Sequence, residues 1–397
     1  MKQTTFDVAI IGAGPAGSYM AWQLASRGRR VVLLEEHEQI GEPVNCTGII
    51  GAECFKKFPL GMSSVLGASD SARFYSPAGH EIYMQKEEHQ AYIVDRAVFD
   101  RQLAMKAAET GAFVQTGKCV RDILIEKTGV KLFSSDRAKP IEAKAAVIAA
   151  GFNSKLPEML GLGHIAKYAF GAQVEVSLPP KSIVEVYFGN KVAPDFFAWL
   201  VPTSGRKGLV GLFSRTKQAS HLRNFLNSLY SRGKIDRETG RAVFGGVPLG
   251  MIRKSYAERI LAVGDAAGQV KPTTGGGVYY GLLCADIAVN TLDLALKRDD
   301  LSAKALRGYE VKWKGALGKE IRTGQMARSI YHRLSDAQIE RVFDIVESSG
   351  LHRLVLEDKN FSFDWQASTL LKAMGHHALS SLWAKMGFKT QKLAKEL

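Results

Sequence analysis

The chain is poor in cysteine, in long apolar runs and in acidic charge. Its four cysteines, Cys46, Cys54, Cys119 and Cys284, stand in no metal or redox spacing, which argues against a disulfide framework and for a reducing compartment. No metal site is expected, because the histidines show no paired spacing. His376 and His377 are adjacent, which on a helix points them apart and reads as surface or partner-facing. No uninterrupted apolar stretch is long enough to span a bilayer. The N-terminus runs straight into a strand pattern without a cleavable signal. Internal repeats and low-complexity tracts are missing. With 53 Lys and Arg against 39 Asp and Glu, the formal net charge is +14. The basic residues are scattered, with no long run and no nucleic-acid module, so nucleic acid is not an expected partner. An anionic membrane surface, an acidic substrate or an acidic protein remain, beside a plain solvated basic surface. The expected location is cytoplasmic, with peripheral contact to a membrane surface as the alternative. A length of 397 residues with 46% hydrophobic and 23% charged content suits a globular protein of two or three domains.

What is present begins at Asp7. Asp7-Val8-Ala9-Ile10-Ile11 reads as a strand and Gly12-Ala13-Gly14-Pro15-Ala16-Gly17 as a glycine turn entering a helix. Val31-Val32-Leu33-Leu34 is a second strand closed by Glu35. This unit is suited to an ADP moiety. Gly12 permits the tight turn, Gly14 lets the backbone approach a pyrophosphate, and Gly17 lets the helix pack on its strand. The helix N-terminus offers free N–H groups to phosphates and Glu35 can take ribose hydroxyls.

Further along, Ser71–Tyr75 and Glu81–Met84 flank a Pro77-Ala78-Gly79 turn and read as a hairpin. Asp95 to Thr110 reads as a helix with Gly111 just past its end. Strand-like runs follow at 113–115, 120–125 and 130–133, and Ala145–Ala150 reads as a buried strand ending at Gly151. From Phe170 to Phe213 the pattern is mostly strand. Arg259–Val263 is another buried strand, running into Gly264-Asp265-Ala266-Ala267, and a helix begins near Gly277. The chain after about Leu301 reads as helical. Ligands of open parallel sheets bind beyond the strand carboxyl ends. Asp265 there can accept hydrogen bonds from a polyol such as a flavin ribityl chain. Gly275-Gly276-Gly277 allows close approach, and the helix after it has N–H groups free for the O2/N1 edge of a flavin.

Taken together, several segments resemble the flavoproteins of the para-hydroxybenzoate hydroxylase superfamily. They are Gly12–Gly17 with Glu35, Tyr92-Ile93-Val94-Asp95-Arg96, Ala150-Gly151-Phe152-Asn153-Ser154, and Gly264–Ala267 with Thr274–Gly277. Within that group, Pro43-Val44-Asn45-Cys46-Thr47-Gly48 and Pro194–Pro202 resemble the geranylgeranyl reductase family, of the digeranylgeranylglycerophospholipid reductase type. The family pattern P-x-x-Y-x-W-x-F-P is met with Phe197 in place of Tyr and Val201 in place of Phe. The resemblance covers roughly residues 5–300. With the element pattern above it implies an α/β plus α+β fold: a Rossmann-like FAD-binding domain built from 1–66, 93–162 and 250–300 and an inserted antiparallel β-sheet substrate domain (67–92 and 163–249), while the residue pattern alone predicts a C-terminal helical region (301–397).

The same resemblance implies bound FAD and reduction of isolated C=C bonds in isoprenoid chains of lipids or diphosphates. Gly12, Gly14, Ala16, Gly17 and Glu35 would hold the ADP half. Cys46 and Thr47 would lie near the flavin ring, Arg96, Val120 and Gly151 would touch the dinucleotide, and Gly264, Asp265, Gly276, Gly277 and Val278 would hold the ribityl chain and ring. Phe152 stands where related hydroxylases carry an Asp that helps bind flavin and pyridine nucleotide.

An isolated alkene has no carbonyl to polarise it, so hydride addition needs a proton supplied in step and a dry pocket. Phe197, Trp199, Val201 and Pro202 are the candidate pocket wall. Burying an isoprenoid tail contributes about 0.8 kcal/mol per methylene. Cys46 and Tyr279 are the candidate catalytic groups, each weighed against ordinary core packing. With one dinucleotide fingerprint, the electron donor is either transiently bound NAD(P)H or an acidic carrier such as reduced ferredoxin. The stretch Gln366–Leu397 mixes apolar residues and lysines, as a membrane-lying helix or a helix closing the substrate domain would. Two other functions fit the scaffold: an FAD-dependent monooxygenase on an apolar or aromatic substrate, and a flavin-bound redox-sensing or assembly protein.

Overall fold

The computed structural model describes residues 6–152, 154–358 and 362–365. Gln366–Leu397, with His376 and His377, lies outside the described residues, as does Asn153.

A parallel sheet forms because its strands carry apolar side chains on both faces. In the strand Phe6–Ile11, Val8 and Ile10 enter one core while Ala9 and Ile11 enter the other, on the opposite face. Neighbouring strands align as Ile260–Ala262, Ile141–Ile148, Phe6–Ile11, Val31–Leu34 and Phe113–Gln115, all parallel. The antiparallel strands Val130–Ser134 and Val120–Ile125 branch from Ile141–Ile148. On one face pack the helices Pro15–Ala25, Arg96–Glu109 and Val278–Lys297. Val278–Lys297 is long and apolar enough to cross a membrane. Here its buried residues, among them Tyr280, Leu282, Ala285 and Leu292, fill the core.

A second sheet runs Arg237–Glu238, Tyr168–Ser177, Lys207–Ser214, Phe197–Pro202, Val184–Phe188, Ser71–Tyr75 and Glu81–Gln85, with Val243–Pro248 also on Tyr168–Ser177. The hairpin expected around Pro77-Ala78-Gly79 is present as Ser71–Tyr75 on Glu81–Gln85. One pair of this sheet, Val184–Phe188 with Ser71–Tyr75, is parallel. A small third sheet, Ile49–Gly51, Ala91–Val94 and Val65–Ser69, lies between these chain segments in sequence. The helix Ala303–Tyr331 packs along Val278–Lys297, followed by Asp336–Ser348 and Leu351–Glu357.

Candidate active site

The site lies along the carboxyl edge of four adjacent parallel strands. In spatial order these end in Gly264-Asp265, Ala149–Gly151, Gly12–Gly14 and Glu35. Ligands of open parallel sheets bind at this edge. A cavity of about 170 Å3 opens there, lined by Ala13, Gly14, Glu35, Cys46, Arg96 and Asp100 among others.

The glycines of the first turn have distinct reasons. Gly12 has φ +101°, and a Cβ there would lie 2.4 Å from the Ala149 carbonyl oxygen. A Cβ at Gly17 would lie 2.0 Å from the Gly12 carbonyl oxygen, so helix and turn could not meet with any other residue. Gly14 has open space around it and caps the helix Pro15–Ala25 without a side-chain hydrogen bond. The first-turn amides are therefore available to an anion. The Ala13 amide donates to Glu35 Oε2 at 2.8 Å. The other carboxylate oxygen, Oε1, accepts from the His37 amide at 3.1 Å and pairs with His37 Nδ1 at 2.7 Å.

Arg96 reaches the cavity because Asp95 caps the helix Arg96–Glu109, its carboxylate accepting from the Val98 amide at 3.0 Å. This puts Arg96 at the first helical position, directly after the strand Ala91–Val94. Its guanidinium is bidentate on Asp100, at 3.1 and 2.9 Å, and also faces the Cys46 sulfur. Cys46 Sγ accepts from the Gly48 amide at 3.4 Å, and Thr47 Oγ1 donates to the buried Gln173 Oε1 at 3.0 Å. Gly48 must be glycine, since its φ is +81° and a Cβ would lie 2.3 Å from the Val94 carbonyl oxygen.

Asp265 follows the strand Ile260–Ala262, in the turn Gly264–Ala267. Its carboxylate makes no hydrogen bond to a described residue. Burial pushes it up to about 6 while the nearby Arg96 charge opposes the rise. The turn is fixed from beneath. The Gly264 amide donates to Gln269 Oε1 at 2.8 Å, Gln269 Nε2 donates to the Tyr309 hydroxyl at 2.7 Å, and that hydroxyl donates to the Ala262 carbonyl at 3.0 Å. Gly277 closes on the same carboxylate: a Cβ there would lie 2.7 Å from Asp265 Oδ1. Gly277 caps Val278–Lys297 without a side-chain hydrogen bond, leaving that helix N-terminus open as well. These features fit a flavin dinucleotide: two open helix N-termini, with Glu35 at one end and the Asp265 carboxylate, unpartnered among the described residues and suited to a polyol, at the other.

Next to the glycine loop stands an apolar wall. Phe197, Trp199 and Val201 alternate onto one face of their strand and cluster with Ile93 and Phe213. Ala198 and Leu200 point into the other core. The Trp199 and Phe213 rings are 5.0 Å apart, and a Cβ at Gly275 would lie 3.1 Å from the Phe213 ring. Across the strand pair, Trp199 faces Gly211, where a Cβ would lie 2.5 Å from the indole.

Some expected site residues are not brought to the cavity. Tyr279 is 3% exposed and packs against Phe58 and Trp365. Its hydroxyl donates to Glu53 Oε1 at 2.7 Å, and burial together with Glu53 pushes the phenol far above its ordinary range. Val120 sits in the core on one face of the parallel sheet. Pro202 lies outside the cluster of Phe197, Trp199 and Val201 because side chains alternate along a strand. Gln269, Tyr309 and Glu53 carry no local motif, so the sequence did not single them out.

The family model described as lycopene cyclase protein matches residues 7–324. The digeranylgeranylglycerophospholipid reductase of Methanocaldococcus jannaschii is 31% identical, over 87% of this chain and 91% of its own. Digeranylgeranylglycerophospholipid reductase 1 of Methanococcoides burtonii is 32% identical, over 89% and 90%. Among solved structures, a geranylgeranyl bacteriochlorophyll reductase-like protein from Thermoplasma acidophilum superposes with a TM-score of 0.84 over 97% of this chain and 99% of that one, at 22% identity. A flavin-dependent brominase superposes with a TM-score of 0.71 over 96% and 100%, at 16% identity.

Proposed function

The chain belongs to the family of the digeranylgeranylglycerophospholipid reductases, and from that premise we propose an FAD-dependent oxidoreductase that saturates isolated C=C bonds of geranylgeranyl chains in lipids or diphosphates. The observation that carries the reading is the contact between the glycine loop and the aromatic wall, Gly275 on Phe213 and Phe213 on Trp199. It supports the reading because the loop assigned to the flavin then lies against an apolar surface. FAD, when bound and reduced, supplies the hydride.

The chain's own residues do the rest. The open amides after Gly14 would take the pyrophosphate, and Glu35 would take the adenosine ribose. Asp265 would accept from the ribityl hydroxyls, and the amides at the start of Val278–Lys297 would hold the pyrimidine edge. Phe197, Trp199 and Val201 exclude water from the alkene, which has no polar handle to orient it. Cys46, beside the Arg96 guanidinium, is the group we assign to tuning the site or relaying the proton that accompanies hydride addition. Tyr279 is left to packing, because its hydroxyl already serves Glu53. The net charge of +14 supports an acidic electron carrier as donor. Anaerobic turnover of the reduced protein with geranylgeranyl lipid, followed by flavin absorbance and product mass, tests the reading.

A further inference from the structure

Two charges lie buried together beside the glycine loop. Lys271 Nζ and Asp364 Oδ1 are 2.8 Å apart, with side chains 3% and 2% exposed. Such pairs contribute little net stability, because desolvation offsets their attraction, so the position of this one is informative. The Lys271 backbone closes the glycine turn: its amide donates to the Gly276 carbonyl at 3.1 Å, and the Gly275 amide donates to the Lys271 carbonyl at 2.9 Å. The side chain then folds onto Gly276, where a Cβ would lie 2.7 Å from Cε and 3.2 Å from Nζ.

The carboxylate end points elsewhere. Asp364 Oδ2 has no hydrogen-bond partner among the described residues and abuts Gly51, where a Cβ would lie 1.9 Å away. Asp364 is presented by the segment 362–365, and Glu53 anchors that segment by accepting from Ser362 Oγ at 2.9 Å and Trp365 Nε1 at 3.0 Å. The Tyr280 hydroxyl donates to the Asp364 carbonyl at 3.1 Å. The pair is thus a fixed dipole, its positive end against Gly276 and its negative end against Gly51.

We infer that Lys271 and Asp364 are positioning residues that set the flavin's reduction potential, the ammonium behind Gly276 favouring the reduced cofactor and Asp364 moderating it. The inference rests on the FAD reading above. Reduction places negative charge on the part of the flavin assigned to Gly276 and Gly277, and a nearby cation in a dry site favours that charge. Each end of the dipole therefore acts in its own direction. A merely structural pair would make both single variants fail alike.

The test is spectroelectrochemical titration of FAD-loaded full-length wild type, Lys271→Met, Asp364→Asn and the double variant. Expected is a lower potential for Lys271→Met and a higher one for Asp364→Asn. Each should shift the ratio of reduced to oxidised flavin by roughly tenfold, or about 30 mV for a two-electron couple. The double variant returns near wild type. Single variants that shift in the same direction, or do not shift, overturn the inference. If Lys271→Met does not fold, the near-isosteric Asp364→Asn decides alone, an unchanged or lowered potential overturning it. A wild type that takes up no FAD overturns the FAD reading itself, and so is told apart from a failure of the dipole.

Discussion

Gly277 and Asp265 hold each other in place: a Cβ on the glycine would lie 2.7 Å from the carboxylate's Oδ1 and 3.3 Å from Val270 Cγ2. Gly277→Ala must therefore displace the acid assigned to the ribityl chain. The expected outcome is FAD affinity weakened about tenfold or more, about 1.4 kcal/mol, with the fold kept. Fluorescence titration of the apoprotein with FAD measures the first and circular dichroism the second.

Asp265 gives a pH-dependent prediction with a definite sign. Burial penalises the charge and pushes its carboxyl up to about 6 in the fold, from an ordinary 3.8. Between these values the folded apoprotein keeps a proton that the unfolded chain releases. This group thus favours folding at low pH, and that contribution is lost as pH rises through about 6. Apo Asp265→Asn should be more stable than apo wild type at about pH 7.5, with the difference shrinking by about pH 4.5, while binding FAD more weakly. Thermal melts of both apoproteins at the two pH values check this; equal differences at both would count against it.

Much of this frame is legible in the sequence because its signals are local. The Gly12–Gly17 turn, Glu35 and the Gly264-Asp265 turn each sit within a few residues of the strand that positions them. The pieces that were not legible are long-range pairs. Lys271 meets Asp364 across 93 residues, Glu53 meets Tyr279 across 226, and Gln269 meets Tyr309 across 40. Apart from Tyr279, the partners in these pairs have no local pattern, since each looks like an ordinary polar residue until the fold closes. Tyr279 illustrates the reverse case. Its place after the triple glycine suggests chemistry, but the helix turns it into the core.

Cys46 faces Arg96 and is not among the residues assigned to the ADP half, so its loss should separate binding from chemistry. Cys46→Ala is expected to retain stoichiometric FAD and lose alkene reduction at least about tenfold. FAD content by absorbance and single-turnover rates under anaerobic conditions give the two readouts. Wild-type turnover in this variant removes Cys46 from the mechanism.

The +14 charge predicts the character of the electron donor. Reduced ferredoxin should reduce the flavin faster than NADH or NADPH, with a rate that falls steeply as ionic strength rises, since steering between opposite charges is screened by salt. Anaerobic stopped-flow reduction at several salt concentrations measures it. Fast reduction by NADPH and none by ferredoxin would assign the donor role to the nicotinamide.

If the apolar wall beside the loop assigned to the flavin serves reduction of isolated alkenes, reduced flavin passes its electrons to a geranylgeranyl chain without oxygen. The most direct measurement is anaerobic incubation of dithionite-reduced protein with geranylgeranyl diphosphate and with geranylgeranyl lipids. Flavin absorbance and product mass are followed together. Flavin reoxidation without oxygen is expected, with products heavier by two hydrogens for each double bond saturated. Flavin that stays reduced with every geranylgeranyl substrate, and reoxidises only when oxygen is admitted, would contradict it.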